Sequence, residues 1–241
     1  MAQFLGKGSP RPPKTSKVRL YCSRFDPFTA GLRYVLREKG VEFENIYIDT
    51  HNDTAEWYKD INPTGEIPCV EIGDEAIPET FIIYDYLEAK FPSVKTQHTG
   101  NAYKWAKDRL FATRISQNLA PKIGGLVKEP EKNLSEIATK LKTVNSILSK
   151  RGTDYIGGSS PNYADYYLWG WVELIPAIKA AHNLKFDLDR EEYKHYWAWI
   201  SRMDKNKHIE QDRIDRKVNL KLRTEFFKSV IAGKPNVLVG L

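Results

Sequence analysis

The apolar pattern of this chain changes period once, near residue 93, and that change constrains the fold more than any other feature. Before it, strand-like and helix-like stretches alternate. Val18, Leu20 and Cys22 alternate with Arg19 and Tyr21, as in a half-buried strand. Phe28, Leu32, Val35 and Leu36 then recur at helical spacing, and Gly40 after the basic Lys39 marks a stop. Residues 43–48 are rich in aromatic and β-branched types and predict a second strand. Two short runs, Cys69-Val70-Glu71-Ile72 and Glu75-Ala76-Ile77, flank Gly73-Asp74 and predict a small hairpin. A helix is expected from Thr80 to Lys90, halted by Phe91-Pro92. The order β-α-β, then β-β-α, is that of a thioredoxin-like α/β domain.

After Ser93 the strand signals vanish. Apolar sets recur only at helical spacing: Trp105, Leu110, Phe111 and Ile115; Leu134, Ile137, Leu141, Val144 and Leu148; Tyr167, Trp171, Leu174 and Ile175; Tyr193, Trp197, Ile200 and Met203. The chain therefore divides into a flexible, basic, proline-rich arm over 1–16, a thioredoxin-like domain over 17–93 and an all-helical domain over 100–241. In the helical part, Asn162 is placed to cap a helix while Asp165 reaches back to the N–H of the cap.

Composition narrows the function classes. The net charge of +6 would draw in an anionic ligand, and most basic residues are dispersed. The exception is Arg213, Arg216, Lys217, Lys221, Arg223 and Lys228. Interleaved with Ile214, Val218 and Leu222, they predict an amphipathic helix with a solvated basic face rather than a nucleic-acid site. Two cysteines, Cys22 and Cys69, are too few for a disulfide framework and read as buried residues. Five dispersed histidines suggest no metal site. No apolar run approaches the roughly 20 residues of a membrane helix, and the N-terminal arm has no secretory pattern, so a cytoplasmic location without stable membrane insertion is expected.

Three short motifs carry the chemistry. Arg24-Phe25-Asp26-Pro27-Phe28 joins the first strand to the first helix, Gly65-Glu66-Ile67-Pro68 precedes the hairpin, and Pro78-Glu79-Thr80 follows it. Together they resemble the glutathione-binding half of a glutathione transferase, and the first is similar to the Arg-Phe-Cys-Pro-Phe motif of the omega class. The α/β-then-helical plan extends the resemblance over nearly the whole chain. It implies glutathione as cosubstrate, a small hydrophobic electrophile as second substrate, a homodimer, and a role in detoxification or oxidative stress. It also implies that Pro68 is cis, so that Ile67 pairs its N–H and C=O with the tripeptide as an added strand. Glu79 and Thr80 would hold the γ-glutamyl end at a helix start, and Phe28 would floor the pocket. The family's basic residue for the glycine carboxylate has no Lys or Arg counterpart; His51 is the candidate there.

The departure is Asp26, which stands where the omega class keeps its thiolate. A carboxylate forms no mixed disulfide, so thiol transfer and dehydroascorbate reduction by that route should be lost. Two roles remain open for Asp26. It caps the helix, with Pro27 at the first helical position, or it acts as a weak base on the glutathione thiol, whose pKa its charge would raise. Tyr21, taken as the better exposed of the neighbours on its strand, and Ser23 are alternative activating hydroxyls. The electrophile site is expected between the domains, lined by Tyr166, Trp169 and Phe226. A non-catalytic glutathione-binding or stress-response protein on the same fold is the competing function.

Overall fold

The computed structural model describes residues 3–50, 54–92 and 101–241, and the chain separates into two compact units, 1–97 and 98–241. The first unit carries a five-stranded sheet among the described residues: β1 (Gln3–Leu5), β2 (Val18–Cys22), β3 (Phe43–Ile48), β4 (Cys69–Ile72) and β5 (Glu75–Pro78). Its helices are α1 (Pro27–Glu38), α2 (Tyr58–Ile61) and α3 (Thr80–Lys90). The strand order is β1-β3-β2-β4-β5, with β1, β3 and β2 mutually parallel and β4 and β5 antiparallel additions. Apart from β1 and α2, the elements follow the predicted β-α-β then β-β-α sequence of a thioredoxin-like domain, and the hairpin turns at Gly73-Asp74, where Ile72 faces Glu75.

Two expectations are corrected. The N-terminal arm is not free. Gln3–Leu5 pairs with Ile46–Ile48 on the open edge of β3, satisfying main-chain groups that an edge strand leaves bare. Behind it, Arg11 binds Glu71 at 2.8 Å, Lys14 pairs with Asp74, and the Trp57 indole donates to the Ser9 carbonyl at 2.7 Å. The first strand is not half-buried either. All five residues of β2 are buried because it is the central strand. Its polar residues survive there by pairing: Arg19 donates to Glu44 and to the Pro13 carbonyl, and the Tyr21 hydroxyl donates to Glu71 at 2.6 Å.

The second unit is helical throughout its described residues: α4 (Ala102–Asn118), α5 (Ala120–Gly125), α6 (Pro130–Arg151), α7 (Tyr163–Val172), α8 (Ile175–His182), α9 (Lys194–Asp204), α10 (Lys207–Asp215) and α11 (Leu220–Ile231). Every residue of α7 is buried, and its start is a full capping box. The Asp165 carboxylate accepts from the backbone N–H groups of Ile156, Gly157 and Asn162 and from the Trp199 indole, at 2.8 to 3.1 Å. Gly157 is required beside it, since a Cβ there would meet the Ser160 carbonyl oxygen at 2.5 Å. Asn162 extends the network to Asp108 at 2.7 Å, and Asp108 to Arg151 at 2.6 Å.

The basic stretch after residue 212 is likewise corrected. It is split between α10 and α11, and two of its arginines are buried in ion pairs instead of forming a solvated face. Arg216 binds Asp212 at 2.7 Å and Arg223 binds Glu173 at 2.7 Å, whereas the apolar Ile214 is exposed. Local periodicity does not reveal a partner fifty residues away.

Candidate functional site

Strand register gathers the three motifs at one end of the sheet. Tyr21 lies opposite Cys69 on β4, and Cys69 lies opposite Pro78 on β5. Because β2 ends where β4 begins and β5 ends, Asp26, Ile67-Pro68 and Glu79-Thr80 all leave the sheet at the carboxyl end of β2. Five residues that the sequence reading separates by up to 54 positions are thus brought to one edge.

Each piece has a distinct local form. The Ile67–Pro68 bond is cis, and the β4 ladder starts only at Cys69, so sheet pairing does not engage Ile67. The preceding carbonyl, of Glu66, is held by the Tyr58 hydroxyl and the Asn62 amide, each at 2.8 Å. Glu79 adopts φ +72 immediately before α3, a left-handed backbone that a residue with a side chain avoids. Its exposed side chain makes no capping bond to the start of α3. Thr80 is buried at the first helical position.

Asp26 is the N-cap of α1, with Pro27 following it as predicted. One carboxylate oxygen, Oδ2, accepts from the Thr29 N–H at 2.7 Å and from the Thr29 hydroxyl; the other, Oδ1, has a long contact of 3.4 Å with the Phe28 N–H. Burial pushes the Asp26 carboxyl above its ordinary value, against the hydrogen bonds from Thr29 and the charge of Arg33. Thr29 and the fully buried Arg33 are site residues that the sequence reading missed. Thr29 was readable, as it sits three positions after an N-cap; Arg33 had no local signal.

Tyr21 is corrected as a candidate activator. It is fully buried, packs on Tyr58 with ring centroids 5.3 Å apart, and its hydroxyl donates a hydrogen bond to Glu71. Burial and then the Glu71 hydrogen bond raise its pKa far above that of a free tyrosine. Ser23 is buried too, and its carbonyl receives Arg33 at 3.4 Å. Phe28 is half-buried. Tyr166, Trp169 and Phe226 are all buried; Trp169 lines a cavity within the helical unit, and the other two do not. His51 lies outside the described residues. Cys69, its thiol pushed up to about 12 mainly by burial, is no substitute nucleophile.

Comparison with known proteins agrees with the fold. Residues 16–89 match the glutathione S-transferase N-terminal domain, and residues 129–202 match the glutathione S-transferase C-terminal domain. Omega-1 glutathione S-transferase of Sus scrofa is 31% identical over 74% of this chain and 76% of its own length. The chain belongs to the omega-class glutathione S-transferase family. Pyrimidodiazepine synthase of Drosophila melanogaster is 28% identical and aligns over 97% of this chain and 95% of its own. Among solved structures, a tau-class glutathione S-transferase from mango superposes with a TM-score of 0.79 at 20% identity, covering 89% of this chain and 99% of that one. Members of this family use glutathione as cosubstrate and commonly form dimers. No helix among the described residues is long and apolar enough to cross a membrane, and no group of metal-ligating side chains is found among them.

Proposed function

We propose that this chain binds glutathione in its thioredoxin-like unit and conjugates it slowly to a small hydrophobic electrophile, without the thiol-transfer and dehydroascorbate reductase chemistry of its thiolate-bearing relatives. The observation that carries this reading is the convergence of a cis Ile67–Pro68 bond, the strained Glu79 and the start of α1 at one sheet end. Ile67 pairs with the cysteinyl backbone of glutathione as an added strand. The N–H groups at the start of α3, with the Thr80 hydroxyl, take the γ-glutamyl carboxylate, and Glu79 takes its amino group. The sulfur then faces the start of α1, where the omega motif places its cysteine.

Asp26 sets the rate. Its Oδ1, engaged only by a long contact, accepts the glutathione S–H and so orients the sulfur. The same carboxylate charge opposes formation of the thiolate, which is why conjugation is slow. Tyr166, Trp169 and Phe226 remain the proposed walls for the electrophile, and the working form is a cytoplasmic homodimer. A relative that aligns over nearly the whole chain is named for making a pyrimidodiazepine, so fused nitrogen heterocycles belong in an electrophile screen.

A second reading rests on the cap. Thr29 and Phe28 already occupy the Asp26 carboxylate, as expected of a helix cap in a protein that binds glutathione without turning it over. Conjugation of a chloronitrobenzene, run on wild type beside Asp26→Ala and Asp26→Cys, separates the two. Loss of wild-type turnover in Asp26→Ala supports a catalytic carboxylate; unchanged turnover leaves only the cap. Disulfide reduction gained by Asp26→Cys shows a sound pocket lacking its nucleophile, and no gain in a folded variant contradicts the proposed sulfur position.

A further inference from the structure

The arm between β1 and β2 has a period of its own. Residues 9–15 lie in no helix, strand or turn, yet burial along the arm repeats every third position. Ser9, Pro12 and Thr15 are half-buried; Pro10, Pro13 and Ser16 are exposed, and so are Arg11, Lys14 and Lys17. Three residues per turn is the geometry of a left-handed polyproline II helix. The sequence imposes that form. Pro10, Pro12 and Pro13 fix their own φ, and Ser9, Arg11 and Pro12 each precede a proline, which keeps them extended. The arm is therefore a three-edged rod, with one edge on the domain, one carrying prolines and one carrying cations.

The rod is anchored through main-chain oxygens. The Trp57 indole donates to the Ser9 carbonyl at 2.7 Å, and Arg19 donates to the Pro13 carbonyl. Both anchors engage backbone, and the residues Pro10 and Pro13 remain exposed. On the cationic edge Arg11 reaches Glu71 at 2.8 Å and Lys14 reaches Asp74, yet their side chains keep 39% and 74% of their surface in solvent. A polyproline II segment has no internal hydrogen bonds; here the domain supplies external ones, so the segment is ordered before any partner arrives. A preformed rod of this kind is what polyproline-reading domains take into an aromatic groove.

We propose that the arm is a docking ligand for a second protein: a domain whose aromatic groove seats Pro10 and Pro13 and whose flanking acidic residues face Arg11, Lys14 and Lys17. The proline rings have no rotamer freedom to lose on contact, and the cationic edge sets the orientation of the rod. The arm stays seated when the partner binds, because the two edges it presents are those the domain leaves open. The proposal is independent of glutathione and of Asp26.

The test titrates a panel of isolated SH3, WW and EVH1 domains into the full chain, uniformly labelled with ¹⁵N. At least one domain should bind with a Kd of about 100 μM or tighter and shift the backbone N–H signals of Arg11, Lys14 and Lys17. The indole signal of Trp57 should stay, since its acceptor remains Ser9. The double variant Pro10→Ala, Pro13→Ala should weaken that binding about tenfold in a protein of unchanged circular dichroism, and Lys17→Glu should weaken it about threefold. A short polyglutamate peptide should not bind comparably, which separates groove recognition from charge alone. No binding by any domain of the panel, binding that survives the double variant, a displaced Trp57 signal, or equal affinity for polyglutamate would each overturn the proposal.

Discussion

Two aspartates stand at helix starts in this protein, and their surroundings assign them opposite work. Asp165, within the first turn of α7, is fully buried and takes four N–H donors, three of them backbone. Asp26, before α1, is half-buried and has one oxygen engaged only by a long contact. Burial raises both carboxyls, that of Asp165 to about 6. A saturated carboxylate holds a fold together; one with spare capacity is, under the function proposed above, the group that meets the glutathione thiol.

The largest effect should follow from Asp165→Asn. The amide turns an N–H donor toward the four donors that the carboxyl oxygens accept from, so unfolding by urea should show a loss on the order of 4 kcal/mol. The pH dependence has a definite sign. The folded carboxyl titrates near 6 and the unfolded one near its ordinary value of 3.8, so the folded state holds the proton more tightly. The contribution of this group is complete below that ordinary value and is lost as pH rises through 6. The stability gap between wild type and Asp165→Asn should therefore narrow between pH 4 and pH 7, and a gap that widens would reverse the assignment.

Tyr21→Phe comes next. It strips the buried Glu71 of one donor but leaves Arg11 and Arg19 in place, so it should lower stability by about 1–2 kcal/mol. Conjugation measured per folded molecule should not change; a fall would return Tyr21 to the chemistry. The smallest effect is expected at Glu79. Glycine relieves the φ +72 backbone, so Glu79→Gly should raise stability by about 1 kcal/mol while glutathione affinity falls. Higher stability with unchanged affinity would remove Glu79 from the site.

The sequence made visible what local pattern controls: the β-α-β then β-β-α order, the Gly73-Asp74 hairpin, Asp26-Pro27 as a helix start and Asn162 with Asp165 as a capping box. What it concealed was long-range. β1 is three residues long and shows no alternation, so its pairing with β3 depends on an open edge that exists only after folding. Arg19 and Tyr21 look solvent-facing because their partners, Glu44 and Glu71, lie 25 and 50 residues on. Arg223 looked like part of a basic surface for the same reason, with Glu173 fifty residues behind it. The site was legible as three motifs, but their meeting at one sheet end required the register of β2, β4 and β5.

Calorimetric titration of glutathione into wild type and Asp26→Ala bears most directly on the claim that main-chain groups hold the tripeptide without a thiolate to anchor it. Saturable uptake by both proteins, with a Kd of about 1 mM or tighter, is the predicted result. No heat of binding from either folded protein would contradict it.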